Sequence, residues 1–424
     1  MLILYSLVLT LVLVVGAPWW LFRMATSGKY REGLSERLGF VPERIRQSVS
    51  GKRVVWVHAV SVGEVLAASR LIEELGLRLD ASGAGWRVMV STTTRTGQKL
   101  ARERFGAERV FYFPLDFGFA VRAWLRTLRP AMLVLMETEF WPRVLVECRR
   151  AGIPVAVVNA RISDRSWPRY RRLEFLWRRL LRGLSVVLAQ TELDAERLRA
   201  IGAANVRVGG NLKFDVRAPH AAPVVERLRE HLASGAKVLV CGSTLAGEEE
   251  LLLGALPEDV VTVVAPRHPE RFSAVAELLE RSGRVCVRRS AWMEAPATIA
   301  PGTVFLLDSI GELASVYSLA DAAFIGGSLV PAGGHNPLEA AQFGVPILMG
   351  PHYENFRGIV ETLRAQEGIW IVQADDLKDA LVEALRGSAA AQGMGARARE
   401  VFEREAGATA RTLAELLTIV ETQV

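Results

Sequence analysis

Three acidic side chains and one lysine stand where they could do chemistry. Glu64 closes the motif Ser61-Val62-Gly63-Glu64. Its carboxylate could take a proton from a substrate hydroxyl, or it could close a capping box in which Ser61 and Glu64 satisfy each other's main-chain amides at a helix start. Glu137 and Glu139 flank Thr138 directly after the apolar run Met132 to Met136, and Phe140, Trp141 and Pro142 follow. Two carboxylates at the mouth of a buried strand cost desolvation energy unless they serve a site, so the pair suits a general base or a holder of a basic partner. Lys213, in Asn211-Leu212-Lys213-Phe214-Asp215, precedes a stretch rich in proline and alanine. A fixed ammonium there could meet a leaving phosphate or a carboxylate, or be a plain surface lysine.

A second group of residues reads as anion-binding. Arg267 and His268 follow the apolar run Val261 to Ala265, at the carboxyl end of a strand, where arginine can grip phosphate in a forked geometry. Asp308-Ser309-Ile310-Gly311-Glu312 marks another strand, turn and helix start. Ala322 to Ile325 reads as a buried strand ended by Gly326 and Gly327, and a glycine-bearing loop leads to a helix capped by Asn336 with Pro337 in its first turn. The unpartnered amides of such a helix start favour a phosphate, and Gly333 and Gly334 would let it approach closely. Glu339, three residues after Asn336, could reach the ribose hydroxyls of a nucleotide, or merely complete a capping box.

These residues need strands and helices in alternation to hold them, and the chain supplies that pattern twice. In the first half, strands are expected at Arg53 to His58, Val88 to Ser91, Val110 to Pro114, Met132 to Met136, Val155 to Asn159 and Val186 to Gln190, with helices between. The pattern restarts with strands at Val238 to Cys241, Val261 to Ala265, Val304 to Leu307, Ala322 to Ile325 and Ile369 to Val372. Alternation of this kind predicts parallel sheets covered on both faces by helices, with ligands outside the carboxyl ends of the strands. The break falls at 216–223, where prolines and alanines interrupt all periodicity. The expected organisation is an anchor over 1–22, a domain over 23–215, a linker over 216–223 and a domain over 224–424, with the last helix packing back on the first domain.

Composition narrows the setting. A chain of 424 residues, half of them hydrophobic, has material for two cores. Cys148, Cys241 and Cys286 are few and far apart, with no metal or redox spacing. No charge occurs from Leu2 to Phe22, a length that would span roughly 30 Å of hydrocarbon as a helix. Between Arg23 and Arg53 eight basic residues stand against three acidic ones, which accounts for most of the net charge of +6. Under the positive-inside tendency this predicts an uncleaved membrane anchor with the remainder of the chain on the cytoplasmic side, held against anionic lipid head groups. The arginines from Arg161 to Arg182, interleaved with Trp167, Tyr170, Phe175 and Trp177, fit the same lipids or a solvated face over packed aromatics; nucleic acid is not an expected partner. The chain contains no Asp-x-Asp, no P-loop and no GxSxG, so no metal-bridged diphosphate site and no cofactor are expected.

In order along the chain, His58-Ala59-Val60-Ser61-Val62-Gly63-Glu64, Met136-Glu137-Thr138-Glu139-Phe140-Trp141-Pro142, Asn159-Ala160-Arg161, Asn211-Leu212-Lys213-Phe214-Asp215, Pro266-Arg267-His268-Pro269-Glu270-Arg271-Phe272 and Gly333-Gly334-His335-Asn336-Pro337-Leu338-Glu339 resemble the membrane-anchored Kdo (3-deoxy-D-manno-octulosonic acid) transferases of lipopolysaccharide inner-core synthesis. The resemblance implies the GT-B fold, two Rossmann-like domains facing a cleft. It implies CMP-Kdo as donor, a tetra-acylated lipid A precursor as acceptor, and an inverting, metal-independent displacement. By the same resemblance Glu64 is the proton acceptor, and Glu137 and Lys213 stabilise the transition state. Arg267, His268, Ile310, Gly311, Glu312, Asn336, Pro337, Leu338 and Glu339 would then contact CMP. A transferase of the same fold using a UDP-sugar and another lipid is the alternative.

Overall fold

The computed structural model describes residues 2–27, 31–218, 222–292 and 298–422; within the first segment the side chains of 2–4, 20, 21, 23–25 and 27 lie outside the description. The chain forms two compact units, one of Met1–Val216 with Ala406–Val424, the other of Arg217–Glu405. The division falls at the start of the expected linker, whose residues 219–221 lie outside the described ones.

The first unit is built on a seven-stranded sheet: β1 (Arg53–His58), β2 (Trp86–Thr92), β3 (Val110–Tyr112), β4 (Pro130–Met136), β5 (Val155–Ala160), β6 (Val186–Ala189) and β7 (Val206–Val208). Their order across the sheet is β3-β2-β1-β4-β5-β6-β7, and every pairing is parallel. Order reverses between β1 and β4, so the crevice at their carboxyl ends is the place where such a sheet takes a ligand. Alternate residues of β1 enter different cores: Val54 and Trp56 pack with Phe111, Trp124 and Leu133, whereas Val55 and Val57 pack with Leu71, Leu75 and Met132. That alternation is what a sheet covered on both faces requires. Leu413, Leu416 and Val420, from the helix Ala408–Glu421, close the second core, and each such buried side chain contributes about 2 kcal/mol.

The second unit repeats the plan with β8 (Lys237–Thr244), β9 (Val260–Pro266), β10 (Cys286–Arg288), β11 (Val304–Leu306), β12 (Ala322–Ile325), β13 (Ile347–Met349) and β14 (Trp370–Ile371), in the parallel order β10-β11-β9-β8-β12-β13-β14. Here the reversal lies between β8 and β12. The short strands β7, β10 and β13 carry too few residues to show a period, and they went unread in the sequence. Ser388 to Ala391, which reads as an alanine-rich turn, leads into the helix Ala389–Glu405, because alanine is the residue a helix tolerates best.

Residues 2–27 form a helix with Pro18 inside it. Among the described residues no helix is long and apolar enough to cross a membrane. Leu7, Leu11, Val14 and Val15 are nonetheless exposed, and the Tyr5 hydroxyl donates to Asp116 of the first unit. Part of the basic flank serves the fold instead of facing lipid: Arg44 pairs with Glu36 at 2.6 Å, and Arg37 donates to the Thr93 carbonyl. Arg23 and Lys29 lie outside the described side chains. In the arginine-rich stretch, Tyr170 and Trp177 pack on Phe140 at 6.3 and 5.9 Å between ring centroids, while Arg169, Arg171, Arg172 and Phe175 are exposed.

Candidate active site

Glu64 lies in the first turn of the helix Val62–Ala81, immediately beyond β1 and next to the point where strand order reverses. Ser61 caps the helix as expected, but the Glu64 carboxylate reaches the Val60 amide in place of that of Ser61. Its main-chain amide donates to Ser61 Oγ at 3.4 Å, its Oε1 accepts from the Ser61 hydroxyl at 3.0 Å, and its Oε2 accepts from the Val60 amide at 2.9 Å. The carboxyl is also displaced up to about 7, chiefly by burial, with the charges of Glu137 and Glu139 adding to it and the Val60 and Ser61 hydrogen bonds opposing. A plain surface cap has no such perturbation. A carboxylate balanced near neutrality is what general-base work at pH 7 asks for.

Glu137 follows β4 with a φ of 53°, and Asn159 lies near the end of β5 with a φ of 56°. Left-handed backbone at a residue other than glycine costs on the order of 1–3 kcal/mol and persists where the surroundings enforce it, often at sites. Here the Glu137 amide donates to the Val158 carbonyl at 2.9 Å, so β5 fixes the turn. Burial, and then the Glu137 charge, raise the Glu139 carboxyl above its ordinary range.

Lys213 sits in a single 3-10 turn, Leu212–Asp215, that packs on the helix carrying Glu64. Four hydrogen bonds fix that turn. Asn211 Oδ1 accepts from the Lys213 amide at 3.0 Å, Asn159 Oδ1 accepts from the Leu212 amide at 3.1 Å, and the buried Asp215 carboxylate accepts from the Gly407 and Thr409 amides. Asn159, known from the sequence only as part of a motif, thus holds the lysine turn.

In the second unit the Arg267 amide donates to the Thr244 carbonyl at 3.0 Å, which joins the carboxyl ends of β9 and β8. The Arg267 side chain is exposed, and its charge reaches both Glu339 and His335. Burial lifts the Glu339 carboxyl to about 6 while Arg267 opposes; burial, helped by Arg267 and His268, depresses His335 to about 4 and keeps it neutral at pH 7. These residues are therefore brought together. The helix expected after Asn336 is reduced to Leu338–Ala341 with Pro337 as its cap, and Asn336 Oδ1 accepts from the Leu338 amide at 3.2 Å. Four residues carry little macrodipole, so any anion there depends on local amides and Arg267. Ile310 and Gly311 are exposed on the turn after β11, which pairs with β9, while Glu312 is committed to Arg289 through bonds of 3.1 and 3.0 Å. No contact among the described residues ties that turn to Arg267.

Glu248 and Glu249, which the sequence does not single out, are buried beside this group. Glu249 accepts from both terminal nitrogens of Arg271 at 2.8 and 2.9 Å and from Thr244 at 2.8 Å. Their only signal was an acidic run just after Gly247, following a strand.

Two α/β units, each built on a seven-stranded parallel sheet of this order, resemble the GT-B glycosyltransferases. Solved structures agree on the fold: a Rickettsia africae glycosyltransferase is 13% identical with a TM-score of 0.54, covering 88% of this chain and 98% of its own, and Anabaena HepE in complex with UDP is 14% identical with a TM-score of 0.55, covering 86% and 99%. A family model described as 3-deoxy-D-manno-octulosonic-acid transferase (kdotransferase) matches residues 32–216. The 3-deoxy-D-manno-octulosonic acid transferase of Bordetella pertussis is 35% identical over 93% of this chain and 94% of its own, and that of Haemophilus influenzae is 32% identical over 94% of each. The chain belongs to the 3-deoxy-D-manno-octulosonic acid transferase family.

Proposed function

We propose that this protein moves Kdo from CMP-Kdo to a tetra-acylated lipid A precursor, lipid IVA, in lipopolysaccharide core synthesis, by an inverting displacement without a metal ion. The observation that carries the reading is the buried Glu64 carboxyl, poised near 7 at the reversal point of the first sheet. Glu64 takes the proton of the acceptor sugar's primary hydroxyl as that oxygen attacks the anomeric carbon of Kdo. The bond from that carbon to the CMP phosphate oxygen breaks, and its electron pair leaves with CMP. Attack from the face opposite the leaving group inverts the centre.

Each remaining residue has a part set by charge. The sugar becomes cation-like as the bond breaks, which suits the Glu137 carboxylate, while the phosphate gains charge, which suits Lys213 and Arg267. His268, the Ile310–Gly311–Glu312 turn and the Asn336–Pro337–Leu338 amides add contacts to CMP, and Glu339 suits the ribose hydroxyls. With arginine, lysine and amides supplying the positive field, the reaction has no step that needs a metal, and transfer is expected to persist in EDTA. Inner-membrane attachment through the exposed apolar side chains of residues 5–19, with anionic lipids against the exposed arginines, is part of the same proposal.

The test offers the purified protein CMP-Kdo and UDP-sugars side by side with lipid IVA and weighs the products. A mass gain of Kdo on the lipid from CMP-Kdo alone is the expected result. Transfer from a UDP-sugar, or none from CMP-Kdo by folded protein, overturns the proposal.

A further inference from the structure

In the second unit the crevice where strand order reverses is already filled by the protein's own anion. Glu248, at the start of the helix Glu248–Ala255, is fully buried, and its carboxylate lies between the ends of β8 and β12. Oε2 accepts from the amides of Leu245 at 2.9 Å and Gly327 at 2.6 Å; Oε1 accepts from those of Ser328 at 2.8 Å and Leu329 at 2.9 Å. Three consecutive amides converging on one oxyanion form the kind of concavity that elsewhere receives a phosphate.

We propose that Glu248 is the positioning residue of the donor site: its carboxylate takes the place of a bound phosphate at the reversal point and locks the loop that presents His335 and Asn336. The inference rests on the assignment of the nucleotide to this unit. Burying a carboxylate costs several kcal/mol unless hydrogen bonds repay it, and a loop that needed only to be closed could be closed by a neutral side chain.

The lock acts through short links. Gly327, held by Glu248 at a φ of 69°, accepts from the Gly334 amide at 2.7 Å. It also lies so close to the His335 ring that a Cβ on Gly327 would stand 2.7 Å from Cδ2. Ser328, held by the same carboxylate, takes the Gly350 amide on its hydroxyl at 2.8 Å and the His352 amide on its carbonyl at 3.0 Å. A shift of Gly327 therefore moves Gly334 and His335, and with them Asn336 and Glu339. Because the reversal point is occupied, the donor phosphate is directed outward to Arg267 and the amides that follow His335. Glu248 touches no substrate in this scheme.

The experiment measures steady-state transfer and CMP binding by the full-length wild type, Glu248→Gln, Glu248→Asp and Arg267→Ala. The inference predicts that Glu248→Gln raises the KM for CMP-Kdo tenfold or more and weakens CMP binding in step, with the acceptor KM unchanged. Glu248→Asp, which keeps the charge but cannot reach all four amides, falls between. A lower melting temperature with donor KM unchanged would make Glu248 a mere fold contact and overturn the inference. If both Glu248 variants fail to fold, hydrogen exchange of the wild type decides. The Gly327, Ser328 and Leu329 amides are then expected to exchange only through global unfolding, with CMP slowing the His335 to Glu339 amides alone; rapid exchange at 327–329, or slowing there by CMP, overturns the lock. Loss of CMP binding in Arg267→Ala but not in Glu248→Gln defeats this inference alone, whereas a wild type that binds no CMP defeats the functional proposal beneath it.

Discussion

The Ser61 hydroxyl donates to Glu64 Oε1 at 3.0 Å while the same hydroxyl oxygen caps the Glu64 amide, so a helix cap and a candidate catalytic base are one structure. The hydrogen bond favours the carboxylate form and opposes the larger effect of burial. Ser61→Ala is expected to move the acidic limb of the pH–rate profile to higher pH by up to about one unit. It should also cost about 1 kcal/mol of stability for the lost cap, read by denaturant titration.

A base must be ionised to work, so transfer should rise with pH through about 7 and flatten above it. Stability has the opposite sign. The folded carboxyl binds its proton more tightly than the unfolded one does, so the contribution of Glu64 is fully present below about 4.5 and is lost as pH rises through about 7. Glu64→Gln should therefore melt at or above the wild-type temperature at pH 8, with the gap closing by pH 5, as scanning calorimetry at the two pH values would show.

Lys213 and Arg267 are both assigned to the departing phosphate, but Arg267 is assigned to hold the bound donor as well, and kinetics should separate them. Lys213→Ala is expected to lower kcat by about 10² or more with a small change in donor KM, the pattern of an interaction strengthened in the transition state. Arg267→Ala is expected to raise donor KM together with the loss of CMP binding.

Asp215 pins the last helix to the turn that carries Lys213 by accepting from the Gly407 and Thr409 amides. Asp215→Ala leaves the buried Thr409 amide and the half-buried Gly407 amide unpaired, at a cost of about 2 kcal/mol. Limited proteolysis should then cut first near 406, and transfer should fall along with it.

How much of this was legible follows from the length of the elements. Arg53 to His58 and Ala322 to Ile325 were read with their observed bounds, because a buried parallel strand is a continuous apolar run with polar residues at its mouth. The carboxylates and basic groups at those mouths were visible for the same reason. The helix after Asn336 was overread, since a capping residue before a proline signals a start but says nothing of a four-residue length. Glu248 and Glu249 are invisible as site residues: acidic side chains in a first turn ordinarily face water, and only the folded return of Gly327 to Leu329 onto Glu248, and of Thr244 and Arg271 onto Glu249, gives them buried partners. The depressed His335 has the same origin: burial, with the charges of Arg267 and His268, residues distant in sequence, adding to it.

Residues 5–19 present exposed apolar side chains, and deletion of residues 2–27 tests what they do. The shortened protein is expected to leave the membrane fraction while still transferring Kdo to detergent-dispersed lipid IVA. An equal membrane fraction would assign attachment to the exposed arginines and Phe175 instead.

The most direct test of the account is the rate of Kdo transfer by Glu64→Gln, measured on protein shown to be folded and to bind CMP as the wild type does. Loss of turnover by about 10³ or more, with CMP affinity kept, is the predicted result. Turnover within tenfold of wild type, with the same pH profile, would remove Glu64 from the reaction and contradict the account.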